Sequence, residues 1–371
     1  MAVIATIIAL APGQAAAVFG PPPEPRASAY ALVDPATGET LAAESPGRAL
    51  PMASPTKMMT ALLVRDRTDL GELVTIPDTD LDDDVVPTLV PGERLAVRDL
   101  LASLLVGSDN RAAVALAGHV AGSERRFVAL MNARARNAEL TATRFANPHG
   151  LDAPAHRSSA ADLVAIGQEV MEDPFLADLV GERTASIPGP GGVGTRGLES
   201  QNDLLDLDAE ADGVKTGMTS DAGYVLVARA TRPQLDKELY VAILGSPGRL
   251  ERAADAEALL DWGFAQFARP MLVAPGDELG EVAVTGRPGR VIGLRTARPL
   301  EATVRLDEGI EQRVRVPPRI DPPVAAGERV GEVVYLQSGR ELARAPVVLA
   351  GGAGAPTLWD RVRSGWDELI P

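Results

Sequence analysis

Three short motifs, far apart in the chain, constrain the fold more than any other feature of the sequence. Ser54-Pro55-Thr56-Lys57 reads S-x-x-K, Ser108-Asp109-Asn110 reads S-x-N, and Lys215-Thr216-Gly217 reads K-T-G. Lysine is scarce enough to make two of them informative. Lys57, Lys215 and Lys237 are the chain's only lysines, within a total of 36 Lys plus Arg. Nearly every other cation is arginine, so a lysine in a motif is not generic surface charge. If the motifs serve one site, the fold must bring a helix start, an interhelical loop and a strand to the same place.

The residue types suit one chemistry. An unassisted serine hydroxyl is a weak nucleophile and needs a base within hydrogen-bond reach. Ser54-Pro55 predicts a helix start, with serine as cap and proline at the first helical position. A lysine three residues further on lies on the same helix face one turn away, so Ser54 and Lys57 point into common space. Lys57 can act as a base only when neutral, which burial and a second nearby ammonium, Lys215, would favour. A helix start also places partial positive charge beside a developing oxyanion. Ser108 can relay a proton to a leaving amine, and the Asn110 amide can hold a substrate peptide group. Strand alternation puts Lys215 and Gly217 on one face and Thr216 opposite unless the strand twists. Glycine there lets a substrate backbone come close, and Lys215 with the Thr216 hydroxyl can meet a carboxylate. Singly, each motif has a plain structural explanation: a surface Ser-Lys pair, a turn, an asparagine cap. Their joint occurrence in this order outweighs it.

Composition closes off other classes. A net charge of −15 argues against nucleic acid, which needs a basic footprint, and against a broad electrostatic grip on anionic lipid. With no cysteine, disulfides, thiolate metal sites and cysteine nucleophiles are out of reach. His119, His149 and His156 are scattered without metal-ligand spacing, so neither a metal nor a cofactor is expected. The acidic run Asp80-Leu81-Asp82-Asp83-Asp84 reads as a solvated loop, and Lys237, after a turn, as surface.

The chain is long enough for about two domains. Residues 1–23 are expected to be a secretory signal peptide and linker: residues 2–11 are apolar, Ala15-Ala16-Ala17 resembles a cleavage site, and a proline-rich stretch follows. No lysine or arginine precedes the apolar run, which leaves a hydrophobic strand or helix as the other reading. A hairpin is predicted around Asp34–Gly38. Helices are predicted over Lys57–Val64, 99–121, 124–136 and Asp162–Met171, and a loop over 188–197. Strands are predicted at 213–217, 223–231 and 238–245, then a helix over Arg252–Gln266. Beyond Phe267, valine-rich segments cut by Gly and Pro predict an all-β module. These patterns predict a catalytic domain over 24–267, a β-sandwich-like domain over 268–350, and a linker with an amphipathic helix over 351–371. That helix carries Trp359 and Trp366 on its apolar face and is a candidate for peripheral membrane contact.

With these residues in view, the chain from about Ala29 onward resembles the D-alanyl-D-alanine carboxypeptidases, the low-molecular-mass penicillin-binding proteins. Ala53–Thr60 resembles the family's nucleophile helix. Phe127–Asn132 and Phe145-Ala146-Asn147-Pro148-His149-Gly150-Leu151-Asp152 resemble two further signatures, as do Ala222-Gly223-Tyr224 and Leu259–Phe264. The resemblance implies an α/β (α+β) β-lactamase/transpeptidase-like catalytic domain, with an antiparallel sheet flanked by helices. It implies that Ser54 is acylated by the penultimate D-alanine of a peptidoglycan stem peptide, with Lys57 as base, and that β-lactams acylate the same serine. It further implies that Ser108 and Asn110 line the site and that Lys215 and Thr216 hold the terminal carboxylate. The N–H groups of Ser54 and Met218 would form the oxyanion hole. Arg252, or Arg249, would assist with the carboxylate, and His149 would be structural. The signal-like N-terminus, with the absence of cysteine, leads to an expected location outside the cytoplasm, in the periplasm or on the extracytoplasmic face of the cytoplasmic membrane. Asp109 stands where the family usually has glycine, and Met218 where a polar or aromatic residue is common; these departures bear on substrate preference and rate. Other readings are an endopeptidase or transpeptidase acting on cross-links, a β-lactamase, for which no E-x-x-L-N base is found, and a cell-wall-binding protein with a decayed site.

Overall fold

The computed structural model describes residues 2–8, 20–79, 89–355, 357 and 359. The acidic run and the C-terminal amphipathic stretch, with its expected membrane contact, lie outside the described residues, Trp359 and a few flanking positions apart. Two compact units emerge. One is Pro21–Pro233 with Lys237–Phe264; the other comprises the described residues of Met1–Gly20, Gln234–Asp236 and Ala265–Pro371.

The first unit is built on a five-stranded antiparallel sheet, in the order Glu39–Glu44, Ala29–Asp34, Lys237–Ser246, Gly223–Arg232 and Lys215–Thr219. The two long strands are uniformly apolar in their centres, Val225–Ala228 and Leu239–Leu244, as strands covered on both faces are. The K-T-G strand lies at one end of the sheet, so one of its edges is left unpaired by the sheet.

Helix α1 (Thr56–Arg65) is buried from Thr56 to Val64, as its all-round apolar sequence requires. Against it pack α2 (Val97–Leu105), α3 (Asn110–Ala121), α4 (Glu124–Asn137) and α5 (Ala160–Glu172). The helix predicted over 99–121 is two helices. Ser108 adopts φ +56°, a left-handed conformation that no helix propagates. Asp109 then restarts the helix by accepting hydrogen bonds from the N–H groups of Arg111 and Ala112. The loop expected at 188–197 runs over 189–194 and closes a hairpin between the strands Thr184–Pro188 and Thr195–Glu199, which take up its two ends.

Lys237 is not a surface lysine. Its ammonium meets Asp34 Oδ2 at 2.5 Å, with side chains 9% and 2% exposed. The Asp34 carboxylate compensates the buried ammonium. All three lysines thus serve the interior.

The second unit centres on a seven-stranded sheet: Ala2–Ile8, Ile310–Val316, Arg329–Gln337, Arg340–Leu349, Val291–Thr296, Glu278–Val284 and Arg319–Ile320. All pairs are antiparallel except the last. Ile310–Val316 alternates buried and half-buried residues along its length, the pattern of a strand with one face on a core. Residues 2–8, within the segment expected to be a signal peptide, pair with this strand from Ala2↔Val316 to Ile8↔Ile310.

Candidate active site

Ser54 lies in a tight turn just ahead of α1. Ala53 takes φ +51°, an uncommon conformation for a residue with a Cβ. The turn closes through Thr56 N–H to the Ala53 carbonyl at 3.2 Å and Lys57 N–H to the Ser54 carbonyl at 2.8 Å. The helix itself starts at Thr56, after Pro55, without a side-chain cap. Ser54 therefore does not cap, contrary to the reading of Ser54-Pro55. Its Oγ is turned into the site, where it accepts a hydrogen bond from Lys57 Nζ at 2.9 Å.

Lys57 is wholly buried. Besides Ser54, its ammonium donates to Asn110 Oδ1 at 2.6 Å and to the His149 carbonyl at 2.7 Å. The loop 147–150 is shaped to present that carbonyl. Asn147 Oδ1 accepts from the N–H of Gly150 at 2.7 Å, and Thr60 Oγ1 holds the Pro148 carbonyl at 2.7 Å. Burial pushes the His149 imidazole down to about 3, with the Lys57 charge adding to the effect. The ring is neutral at physiological pH, and its Nδ1 accepts from the Leu151 N–H at 3.2 Å.

A second serine–lysine pair stands beside the first. Lys215 Nζ donates to Ser108 Oγ at 3.0 Å and to the Thr216 carbonyl at 3.2 Å. The left-handed turn at Ser108 delivers its hydroxyl, and the helix restart at Asn110 delivers the amide to Lys57. Burial pushes the Lys215 ammonium down to about 7, with the charge of Arg252 adding to the effect. The cation whose charge acts on Lys215 is Arg252.

Arg252 is 3% exposed. Its guanidinium donates to the carbonyls of Gly217, Val225 and Gln201 at 3.3, 3.1 and 3.1 Å, and Asp203 lies 3.8 Å away. It grips the K-T-G strand through the backbone. Arg249, its neighbour one turn earlier, is tied to Asp203 at 2.6 and 2.7 Å. Thr216 is buried, and Met218 is 58% exposed.

Gly217 is explained by close approach to protein, where the sequence reading assigned that space to substrate backbone. A Cβ at Gly217 would lie 2.6 Å from Pro55 Cδ and 2.7 Å from Ser54 N. The strand passes so near the nucleophile turn that only glycine fits. Asp109 carries its carboxylate to the backbone of α3 and is 4% exposed. Asp109 thus serves as the cap of α3.

Sequence reasoning missed several residues that shape this site: Thr56, His156, Gly150 and Asp152. Asp152 takes the Thr219 hydroxyl at 2.6 Å and the Asp221 N–H at 3.1 Å, which ties the loop after Gly150 to the end of the K-T-G strand. The resemblance of Phe145–Asp152 to a family signature was the available signal for Gly150 and Asp152. For Thr56 and His156 the sequence offered none.

A serine hydrogen-bonded to a buried lysine, a second serine–lysine pair beside it, and an antiparallel sheet flanked by helices define a serine hydrolase of the penicillin-binding class. The comparisons agree. A family model described as D-alanyl-D-alanine carboxypeptidase matches residues 16–247. The chain is 31% identical over 363 residues to the D-alanyl-D-alanine carboxypeptidase DacD of Escherichia coli, covering 93% of this chain and 91% of that one. Its fold is similar to that of penicillin binding protein 5 from Haemophilus influenzae, with a TM-score of 0.64 at 29% identity over 90% of this chain and 99% of that one. It is also similar to a Streptomyces DD-transpeptidase, with a TM-score of 0.62 at 27% identity over 66% of this chain and 99% of that one. The protein belongs to the D-alanyl-D-alanine carboxypeptidase family of serine peptidases.

Proposed function

We propose that this protein removes the terminal D-alanine from peptidoglycan stem pentapeptides through an acyl-enzyme on Ser54, and that β-lactams acylate the same serine. The observation that carries the reading is the Lys57 ammonium, bonded at once to Ser54, Asn110 and the His149 carbonyl. In its neutral form Lys57 takes the Ser54 proton as Oγ adds to the substrate carbonyl. As the C–N bond breaks, Ser108, held by Lys215, relays to the departing D-alanine amine the proton that Lys57 took from Ser54, and its own hydroxyl is restored. Asn110 holds a substrate carbonyl through its amide nitrogen. The stem peptide lies along the unpaired edge of the K-T-G strand, a common mode for extended peptides. Its terminal carboxylate meets Lys215 and the Thr216 hydroxyl, with Arg252 acting through the strand it braces. The N–H groups of Ser54 and Met218 receive the oxyanion. The absence of cysteine fits an exported protein, where this substrate is found. Among the described residues no helix is long and apolar enough to cross a membrane.

The test is incubation with a stem pentapeptide ending in D-Ala-D-Ala, read by mass spectrometry. Loss of one D-alanine is expected. No loss from the pentapeptide, with cleavage of cross-linked dimers, would replace this reading by the endopeptidase one.

The role given to Lys215 has a pH signature. In the free enzyme its ammonium is present below about pH 7 and is lost above it. A bound carboxylate favours the charged form and raises that pKa. Binding above pH 7 should therefore take up a proton. The alkaline limb of kcat/KM, which reports the free enzyme, should fall near pH 7, and that of kcat, which reports the complex, at higher pH. Calorimetry at pH 8 in buffers of different ionisation enthalpy measures the uptake. A peptide ending in D-Ala-D-Ala amide should show none. Equal uptake for acid and amide would remove Lys215 as the carboxylate's partner.

A further inference from the structure

The Ser54 N–H belongs to a peptide group held from three directions. On the carbonyl side, Ala53 O accepts from the Thr56 hydroxyl at 2.8 Å as well as from Thr56 N–H. A helical threonine bonding the carbonyl three residues back is common. What exceeds that pattern is the residue behind it. His156, 5% exposed, places Nε2 2.7 Å from Thr56 Oγ1 across a sequence separation of 100 residues. Its Nδ1 accepts from the Ala146 N–H at 2.9 Å.

That acceptor role decides the direction of every bond in the chain. A neutral imidazole whose Nδ1 accepts must carry its proton on Nε2. Burial keeps the ring neutral, pushing its pKa down to about 4. Nε2–H therefore donates to Thr56 Oγ1, and the Thr56 hydroxyl proton is committed to the Ala53 carbonyl.

Two glycines close the remaining sides. A Cβ at Gly150 would lie 2.2 Å from Ala53 O, and one at Gly217 would lie 2.7 Å from Ser54 N. Ordinary side chains at either place would push this peptide out of position. In a planar trans peptide the C=O and N–H point in opposite directions, so pinning the Ala53 carbonyl aims the Ser54 N–H. Among the described residues that N–H donates to no protein acceptor.

We infer that Thr56 and His156 are positioning residues for acyl transfer: the relay from His156 through Thr56 to the Ala53 carbonyl aims the Ser54 N–H at the oxygen of the scissile carbonyl. The inference rests on the reading of Ser54 as the nucleophile. In that step Ser54 Oγ bonds to the carbonyl carbon, its proton passes to Lys57, and the carbonyl π pair moves onto oxygen. The charge appears where the Ser54 N–H points. A donor aimed in advance stabilises that charge and contributes little to binding the uncharged ground state.

The test compares Thr56→Val, Thr56→Ser and His156→Gln in the full chain. The readouts are kcat, KM, the affinity of a peptide boronate that forms a tetrahedral adduct on serine, and thermal stability. Thr56→Val keeps the side-chain shape and loses both hydrogen bonds. It should lower kcat by roughly 10- to 100-fold, the range of a weakened oxyanion donor, with KM within about twofold. Boronate affinity should fall by the same factor as kcat/KM. Thr56→Ser keeps the hydroxyl and should stay within about threefold of the native kcat. His156→Gln retains an N–H donor toward Thr56 and should fall between the two. An unchanged kcat in Thr56→Val overturns the proposal. So does a Thr56→Ser variant as impaired as Thr56→Val, because loss would then not follow the hydroxyl. Should Thr56→Val fail to fold, His156→Leu, which removes the donor toward Thr56, decides: a fall in kcat matched by boronate affinity supports the relay, and native values overturn it. Failure of the underlying reading looks different, since the boronate and a β-lactam would then form no adduct on Ser54 even in the native protein.

Discussion

Ser54→Ala is expected to abolish D-alanine release, with a loss of at least about four orders of magnitude, as for other serine nucleophiles. The fold should survive. Ser54 Oγ accepts one of several hydrogen bonds from Lys57, and Asn110 and the His149 carbonyl remain as acceptors. Losing one such bond costs about 1 kcal/mol, a shift of a few degrees in Tm. Steady-state rates on a D-Ala-D-Ala peptide, adduct mass after penicillin treatment and a thermal melt together check the prediction. A variant that still forms a penicillin adduct, or still releases D-alanine at the native rate, would falsify the assignment of the nucleophile.

Lys57→Met is expected to match Ser54→Ala in activity and to differ from it in stability. Methionine fills most of the space but cannot take the Ser54 proton. It also leaves Asn110 Oδ1 and the His149 carbonyl, both buried around the former ammonium, without this donor. A buried acceptor left unsatisfied costs about 1–3 kcal/mol, and the loss of the donor at the His149 carbonyl should make the variant less stable than Ser54→Ala by that order. Chemical denaturation of the two variants side by side measures the difference. Equal stability would mean that Lys57 serves catalysis without organising the site. Lys57→Arg should not rescue turnover, because a guanidinium does not give up its proton in this pH range.

The contrast between these variants shows why lysine scarcity was informative. Lys57, Lys215 and Lys237 are each buried against a specific acceptor or carboxylate. The sequence reading recognised two of them from their motifs. It misplaced Lys237, because its partner Asp34 lies some 200 positions away and leaves no local mark. The same limit accounts for Gly217. Strand alternation and the absence of a side chain were visible, but which neighbour required that absence was not; it is the nucleophile turn. Asp109 could be read as a departure from the family pattern, while its use as a cap needed the helix break at Ser108.

What the sequence by itself determined is local and chemical. It identifies the serines and lysines that can do acyl transfer, the buried character of the helix after Ser54, the strands of the sheet and the valine-rich second unit. Each depends on residue type and on spacing within a few positions, which backbone geometry converts directly into a shared face. Only the tertiary structure decided how the groups meet. It joins Lys57 to a carbonyl 92 residues away, His156 to Thr56 across 100, and Lys215 to Ser108 across 107. It also presses two glycines onto the peptide that carries the Ser54 N–H. Such contacts follow from packing of the whole unit, in which each partner's position depends on every other, and no short window of sequence contains them.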